Sequence, residues 1–207
     1  MPALNLPEFS VLVLCGGKSS RMGRDKALLE LAGETLLERT IRLGKALGAR
    51  QVLVSRNQPG FIQDQIKDAG PMAGISAALS YCDSRWLLVL PVDMPLLSTE
   101  ALEPLLTETL GAQQAGFIAG FPLPVLLENT PALNQALDRT LTSVTVSRSL
   151  QRQWQQLGLP QLPLPVPPAF QNCNDPASFA AIRAELNPYP EPKATPTTGL
   201  CDDSISR

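Results

Sequence analysis

The chain has 207 residues, 17 Lys and Arg against 19 Asp and Glu, 4 cysteines, 20 prolines and no histidine. A net charge of −2 gives no reason to expect a nucleic-acid backbone as partner, because that demands a clustered excess of Lys and Arg. Without histidine there is no Ser-His-Asp or Cys-His catalysis and no histidine-held zinc, which leaves carboxylates, Lys, Arg, Asn, thiols or an oxygen-bound metal to carry any chemistry.

Residues 11–14 are a run of Val and Leu that stops at Gly16-Gly17, the pattern of a buried strand emptying into a glycine loop. Thr35 and Glu38 have capping-box spacing, Leu36, Leu37, Thr40, Ile41 and Leu47 share one helical face, and Gly48 supplies a stop, so a helix is expected over 36–47. A second strand is expected over 51–55, parallel to the first. An Ala-rich helix follows at 74–81, an apolar strand at 86–90 and a helix at 99–110 behind a Ser98 cap. Two further helices are expected at 129–141, with Pro131 in the opening turn, and at 147–157, ended by Gly158. Four prolines make 161–170 an extended edge segment, and Asp175-Pro176 reads as the cap and first residue of a final helix to Leu186.

This alternation predicts a single Rossmann-like α/β/α domain with a mostly parallel sheet over 10–186, a short lead over 1–9 and a proline-rich tail of disordered composition over 187–207. Its 44% hydrophobic and 17% charged residues suffice for one core. No apolar run approaches the ~20 residues of a membrane span, and residues 1–10 lack the basic and apolar regions of a signal peptide, so a soluble cytoplasmic protein is expected. Cys15, Cys82, Cys173 and Cys201 are scattered and read as reduced thiols. In a doubly wound sheet the ligand crevice lies at the carboxyl ends of the strands, so residues just past Leu14, Val54 and Leu90 should converge.

The segment 14–26, Leu-Cys-Gly-Gly-Lys-Ser-Ser-Arg-Met-Gly-Arg-Asp-Lys, follows the first strand directly. Adjacent glycines let backbone N–H groups approach an anion, and Arg21 and Lys26 add charge-assisted bonds to phosphate oxygens. The spacing fits neither the dinucleotide fingerprint nor the P-loop, and a solvated basic turn is the plainer reading. The whole string Gly-Gly-x-Ser-x-Arg-Met-Gly-x-Asp-Lys, however, resembles the signature loop of nucleotidyltransferases of the glycosyltransferase-A-like fold. In the form Leu-Cys-Gly-Gly it is most similar to the molybdenum cofactor guanylyltransferase (MobA) family.

The resemblance implies the nucleotide-diphospho-sugar transferase type of fold and a Mg²⁺-dependent transfer of GMP from GTP to the terminal phosphate of the molybdopterin cofactor. It assigns Gly16, Gly17, Arg21 and Lys26 to the triphosphate and the backbone of Leu14, Cys15 and Gly16 to guanine. Asp93, in Pro-Val-Asp-Met-Pro after an apolar strand, sits where a carboxylate can bridge a metal to phosphates; position alone would equally allow a turn residue, and the family's Asp-x-Pro element makes it the metal ligand. Asn172 and Asn174 should point the same way along an extended segment and match an Asn-x-Asn element near the active site, whereas Asp175 is explained by capping.

Gly70-Pro71-Met72-Ala73-Gly74 could be a turn and helix start, and it matches a Gly-Pro-Leu-Ala-Gly stretch with Met72 in place of Leu. Upstream of it Asp64, with Asp68 as the fallback, matches the carboxylate that reads the base, and Ser55 and Asn57 fall on an Asn-rich element of the base pocket. Residues 121–124, Phe-Pro-Leu-Pro, are the expected wall of the acceptor site, with Arg148 as a candidate anion contact. Substrates would be GTP and molybdopterin, with transient contacts to molybdenum-insertion proteins or molybdoenzymes. A cytidylyltransferase, a sugar-phosphate nucleotidyltransferase or a nucleotide-binding adaptor without turnover are the alternatives.

Overall fold

Strand β1 (Phe9–Leu14) is apolar on both faces, and all of its residues are buried. Such a strand needs a layer on each side. The computed structural model, which describes residues 6–15, 25–66, 69–143, 149–166 and 168–186, supplies both. Phe9, Val11 and Val13 join Trp86, Leu88 and Leu90 in a core cluster covered by α1 (Leu36–Ala46), α3 (Thr99–Gly111) and α6 (Pro176–Leu186). Leu12 and Leu14 join Leu87 and Val89 in a second cluster covered by α2 (Pro71–Leu79), α4 (Pro131–Thr142) and α5 (Leu150–Gln156). Period-2 alternation along the strands thus divides one apolar sequence between two cores, each fully buried Leu or Phe contributing about 1.5–3 kcal/mol.

Besides β1 the main sheet holds β4 (Gln51–Ser55), β5 (Trp86–Pro91), β6 (Gly116–Ile118), β7 (Val125–Glu128) and β8 (Gln161–Leu162), in the order β4-β1-β5-β7-β6-β8. β1 pairs in parallel with β4 and β5, and β6 with β8; β7 alone runs antiparallel to its neighbours β5 and β6. The expected α/β architecture with a mostly parallel sheet is the one observed. A small hairpin of β2 (Glu30–Leu31) and β3 (Glu34–Thr35) leads into α1.

Helix starts follow the local chemistry. Thr35 and Glu38 form the reciprocal capping box of α1, Ser98 accepts from Ala101 N, Thr130 accepts from Leu133 N, and Asp175 accepts from Ser178 N. α2 begins three residues earlier than its Ala-rich periodicity suggests, because Pro71 is pre-set for the first helical position and Gly70 takes a positive φ of 74° before it. The short β6, β7 and hairpin strands were not anticipated, and the 161–170 segment pairs only at its first two residues, at the sheet edge as its prolines require. The expected tail and the first residues of the 147–157 helix lie outside the described residues.

Two helices approach the sheet through glycines. A Cβ on Gly44 would stand 3.1 Å from Val11 Cγ1, and one on Gly74 would collide with Ser55 Oγ and stand 3.1 Å from Leu14 Cδ2. Gly74→Ala is therefore expected to destabilise the fold by about 1–3 kcal/mol in urea denaturation, with Ser55→Ala in the same chain recovering part of the loss by removing the nearest atom.

Candidate active site

The parallel register aligns the ends of the central strands: Leu14 lies opposite Ser55 on one side and Pro91 on the other. The pairing continues into the loops, with Cys15 N donating to Ser55 O at 3.0 Å and Val92 N to Leu14 O at 3.1 Å. This is the crevice expected for a doubly wound sheet.

Lys26 reaches across it. The residue opens a short 3-10 turn (Lys26–Leu28) capped by the Asp25 side chain, and its ammonium donates to Asn174 Oδ1 at 2.8 Å and lies 3.7 Å from Asp93 Oδ2. Asp93 stands in the turn after β5, and its backbone oxygen accepts from Cys173 N at 2.7 Å, which docks the 172–174 segment against it. Along that segment Cys173 is buried while Asn172 and Asn174 are exposed, the alternation expected of extended chain. The structure thus brings Lys26, Asp93 and Asn174 together; Asn172 shares their segment but has no described contact to them.

Burial pushes the Asp93 carboxyl above the ordinary aspartate range, and the Lys26 ammonium pulls it part of the way back. Burial likewise pushes the Cys15 thiol up to about 12, against the opposing pull of Arg56, and raises that of Cys173. Neither thiol is a nucleophile at neutral pH.

At the end of β4, Ser55 is buried under Gly74. Asn57 Nδ2 donates to Asp64 Oδ2 at 2.8 Å, and Asp64 N donates to Asn57 Oδ1 at the same distance. This reciprocal pair fixes Asp64 beside the end of β4. Between the two clusters, Arg56 Nη2 bonds Asp25 Oδ2 at 2.7 Å, a contact that the sequence reading did not anticipate. Gly16, Gly17 and Arg21 in the loop, with Asp68 and Arg148, lie outside the described residues.

On the far side of β5, Phe121 meets Phe170 edge-on at 5.8 Å, and Trp154 Nε1 donates to Pro122 O at 2.8 Å. The 121–124 segment is thereby held between α5 and the 168–170 turn. Among the described residues no helix is long and apolar enough to cross a membrane.

Residues 11–157 match the MobA-like NTP transferase domain. The molybdenum cofactor guanylyltransferase of Xanthomonas euvesicatoria pv. vesicatoria is 35% identical over 83% of this chain and 92% of its own. The probable molybdenum cofactor guanylyltransferase of Synechococcus elongatus is 30% identical over 84% of this chain and 98% of its own. Among solved structures, molybdopterin-guanine dinucleotide biosynthesis protein A of Archaeoglobus fulgidus superimposes with a TM-score of 0.67 at 23% identity, covering 85% of this chain and 97% of that one, and shares the fold. With the aligned strand ends and the half-buried Asp93 carboxylate in one crevice, and with a family model matched over residues 11–157, the chain belongs to the MobA-like NTP transferase family.

Proposed function

We infer that the protein transfers the GMP unit of GTP to the terminal phosphate of the molybdenum–molybdopterin cofactor, releasing pyrophosphate and leaving the guanine dinucleotide form. The Xanthomonas and Synechococcus relatives, alike over nearly their whole length, support the reaction. The observation that carries it in the molecule is the meeting of Lys26 with Asp93 and Asn174 at the carboxyl ends of the strands, a cation beside oxygen donors where phosphates can be handled without histidine.

A phosphate monoester is already an anion at neutral pH. One of its oxygens attacks the α-phosphorus of GTP, the bond from that phosphorus to the α,β-bridging oxygen breaks, and pyrophosphate leaves with the electron pair. No proton has to be taken from the nucleophile, so the chain needs in-line placement and charge neutralisation rather than a general base. Lys26 has three N–H donors, of which Asn174 takes one, so others remain for triphosphate oxygens. By the motif they share with the family, the backbone of Gly16 and Gly17 and the Arg21 side chain would bind further phosphate oxygens.

The donor set fits Mg²⁺. Asp93 is a single half-buried carboxylate with an amide oxygen nearby, and among the described residues no three His, Cys, Asp or Glu side chains gather into a protein cage. Mg²⁺ characteristically takes one or two carboxylates and completes its shell with water and substrate phosphates. When bound, the ion would neutralise charge on the phosphate oxygens. Asp93 would hold it and Asn174, with Asn172 beside it, would support the phosphates.

For the base, Asp64 offers the oxygen that Asn57 does not use to the guanine N1–H and exocyclic amine. Asn57 and the backbone of Leu14 and Cys15 would line the same pocket, whereas Ser55 is buried under Gly74 and takes no direct part, and residues 121–124 would wall the acceptor. The reaction would run in the cytoplasm, with transient contacts to proteins that insert molybdenum or receive the product.

Incubation with Mg²⁺, GTP and molybdopterin is expected to release pyrophosphate and form the dinucleotide. Calorimetry is expected to show Mg·GTP binding and little binding of Mg·CTP; the reverse preference would assign a cytidylyltransferase, and GTP binding without turnover an adaptor. Asp93→Ala should lower turnover by about 100-fold or more. Because the folded-state pKa of Asp93 lies above its unfolded value, the stability it contributes is present at acid pH and lost as pH rises through the folded value. The variant should therefore melt no lower than wild type at pH ~8, read by circular dichroism. Asp64→Ala should cut the preference for GTP over ITP, which lacks the exocyclic amine, by about 10–100-fold in kcat/KM.

A further inference from the structure

Arg56 has no part in the reaction as derived so far, yet its side chain is only 8% exposed. Its Nη2 reaches Asp25 Oδ2 at 2.7 Å, its guanidinium carbon lies 5.5 Å from the Phe61 ring centroid, and its Nε finds no hydrogen-bond partner among the described residues. A guanidinium withdrawn from water with a donor unsatisfied is a poor stabiliser; apolar packing of similar volume would serve the fold as well or better. What the group does hold is Asp25.

Asp25 is held at both oxygens. Oδ2 takes Arg56, while Oδ1 accepts from Ala27 N at 3.0 Å and so caps the 3-10 turn whose first residue is Lys26. Arg56 itself leaves directly from β4, whose last residue accepts from Cys15 N. A continuous chain of contacts therefore runs from the sheet through Arg56 and Asp25 to the turn that aims Lys26 at Asp93 and Asn174. A lysine stem has many rotamers, and its charge acts most strongly on phosphates when it is in place before they arrive.

We propose that Arg56 is a positioning residue that, through Asp25, locks the turn carrying Lys26 and keeps its ammonium on Asp93 and Asn174. The kinetic consequence rests on the guanylyltransfer reading; the lock does not. The test uses the full chain as wild type, Arg56→Gln, Asp25→Asn and the double variant. Asparagine has one oxygen where the lock uses two. Lysine acylation at pH ~8 with an N-hydroxysuccinimide ester, followed by peptide mass spectrometry, reads the exposure of Lys26, with Lys45 on the outer face of α1 as internal control.

Either single variant is expected to acylate Lys26 about fivefold faster and the double no faster still, with Lys45 unchanged. In steady state each should lose about 10–100-fold in kcat with KM for GTP changed less than about threefold, and the double should be no worse than the worse single. Unchanged protection of Lys26 overturns the proposal. So do losses that multiply in the double variant, or a melting-temperature drop with a general rise in lysine reactivity, which would make Arg56 a residue of overall stability. Should Arg56→Gln fail to fold, Asp25→Asn carries the same comparison. Wild-type protein that releases no pyrophosphate would defeat the functional reading, and the acylation comparison would still decide the lock.

Discussion

β1 sits between β4 and β5 in unbroken parallel register, and its alternate residues enter two different hydrophobic cores. A slip of one residue would send Val11 and Val13 into the layer that holds Leu12 and Leu14 and reverse every contact along the strand, so the register is strongly held. That constraint sets the level at which three chains leave the sheet. The first leads to Lys26, the second to Arg56, Asn57 and Asp64, and the third to Asp93, so the geometry of the crevice is inherited from packing several residues below it.

Electrostatics in the crevice follow from the same burial. The half-buried Asp93 carboxyl is reluctant to ionise, and Lys26 partly offsets that reluctance. Among the described residues, a polyphosphate arriving at this point meets an ammonium and one carboxylate rather than a cage of acids, which suits a ligand that brings most of the negative charge itself. The thiols of Cys15 and Cys173, at the crevice, are raised by burial and act as small apolar packing groups.

Much of the fold was legible in the sequence because its signals were local and redundant. The capping box at Thr35 and Glu38, Pro131 and Pro176 at helix starts, and the apolar runs at β1 and β5 each announce an element without reference to the rest of the chain. The strands of the β2–β3 hairpin span two residues each, too few for any periodicity to register. β7 is three apolar residues and a glutamate, and apolarity says nothing of strand direction. At the site, Lys26, Asp93 and Asn174 were found through a motif resemblance, and their convergence is geometric fact only in three dimensions. The pairing of Asn57 with Asp64 was not foreseen, since each alone reads as a loop residue. Arg56 was missed outright: an arginine after a strand normally faces water, and only the folded chain reveals that this one does not.

The reversed strand β7 has a consequence for how the crevice is divided. Because β6 runs with β5 and β7 runs against it, the connection between them, residues 119–124, returns at the carboxyl end of the sheet and enters β7 at Val125, opposite Val89. An all-parallel sheet would need a crossover helix to bring chain to that place; the reversal does it with a hairpin tip. The tip shares no strand with the β4-β1-β5 half from which the chain runs on to Asp64 and Asp93. Residues 119–124 can therefore vary in sequence and length without touching the parallel pairing of β4, β1 and β5, whose register sets the level of the crevice.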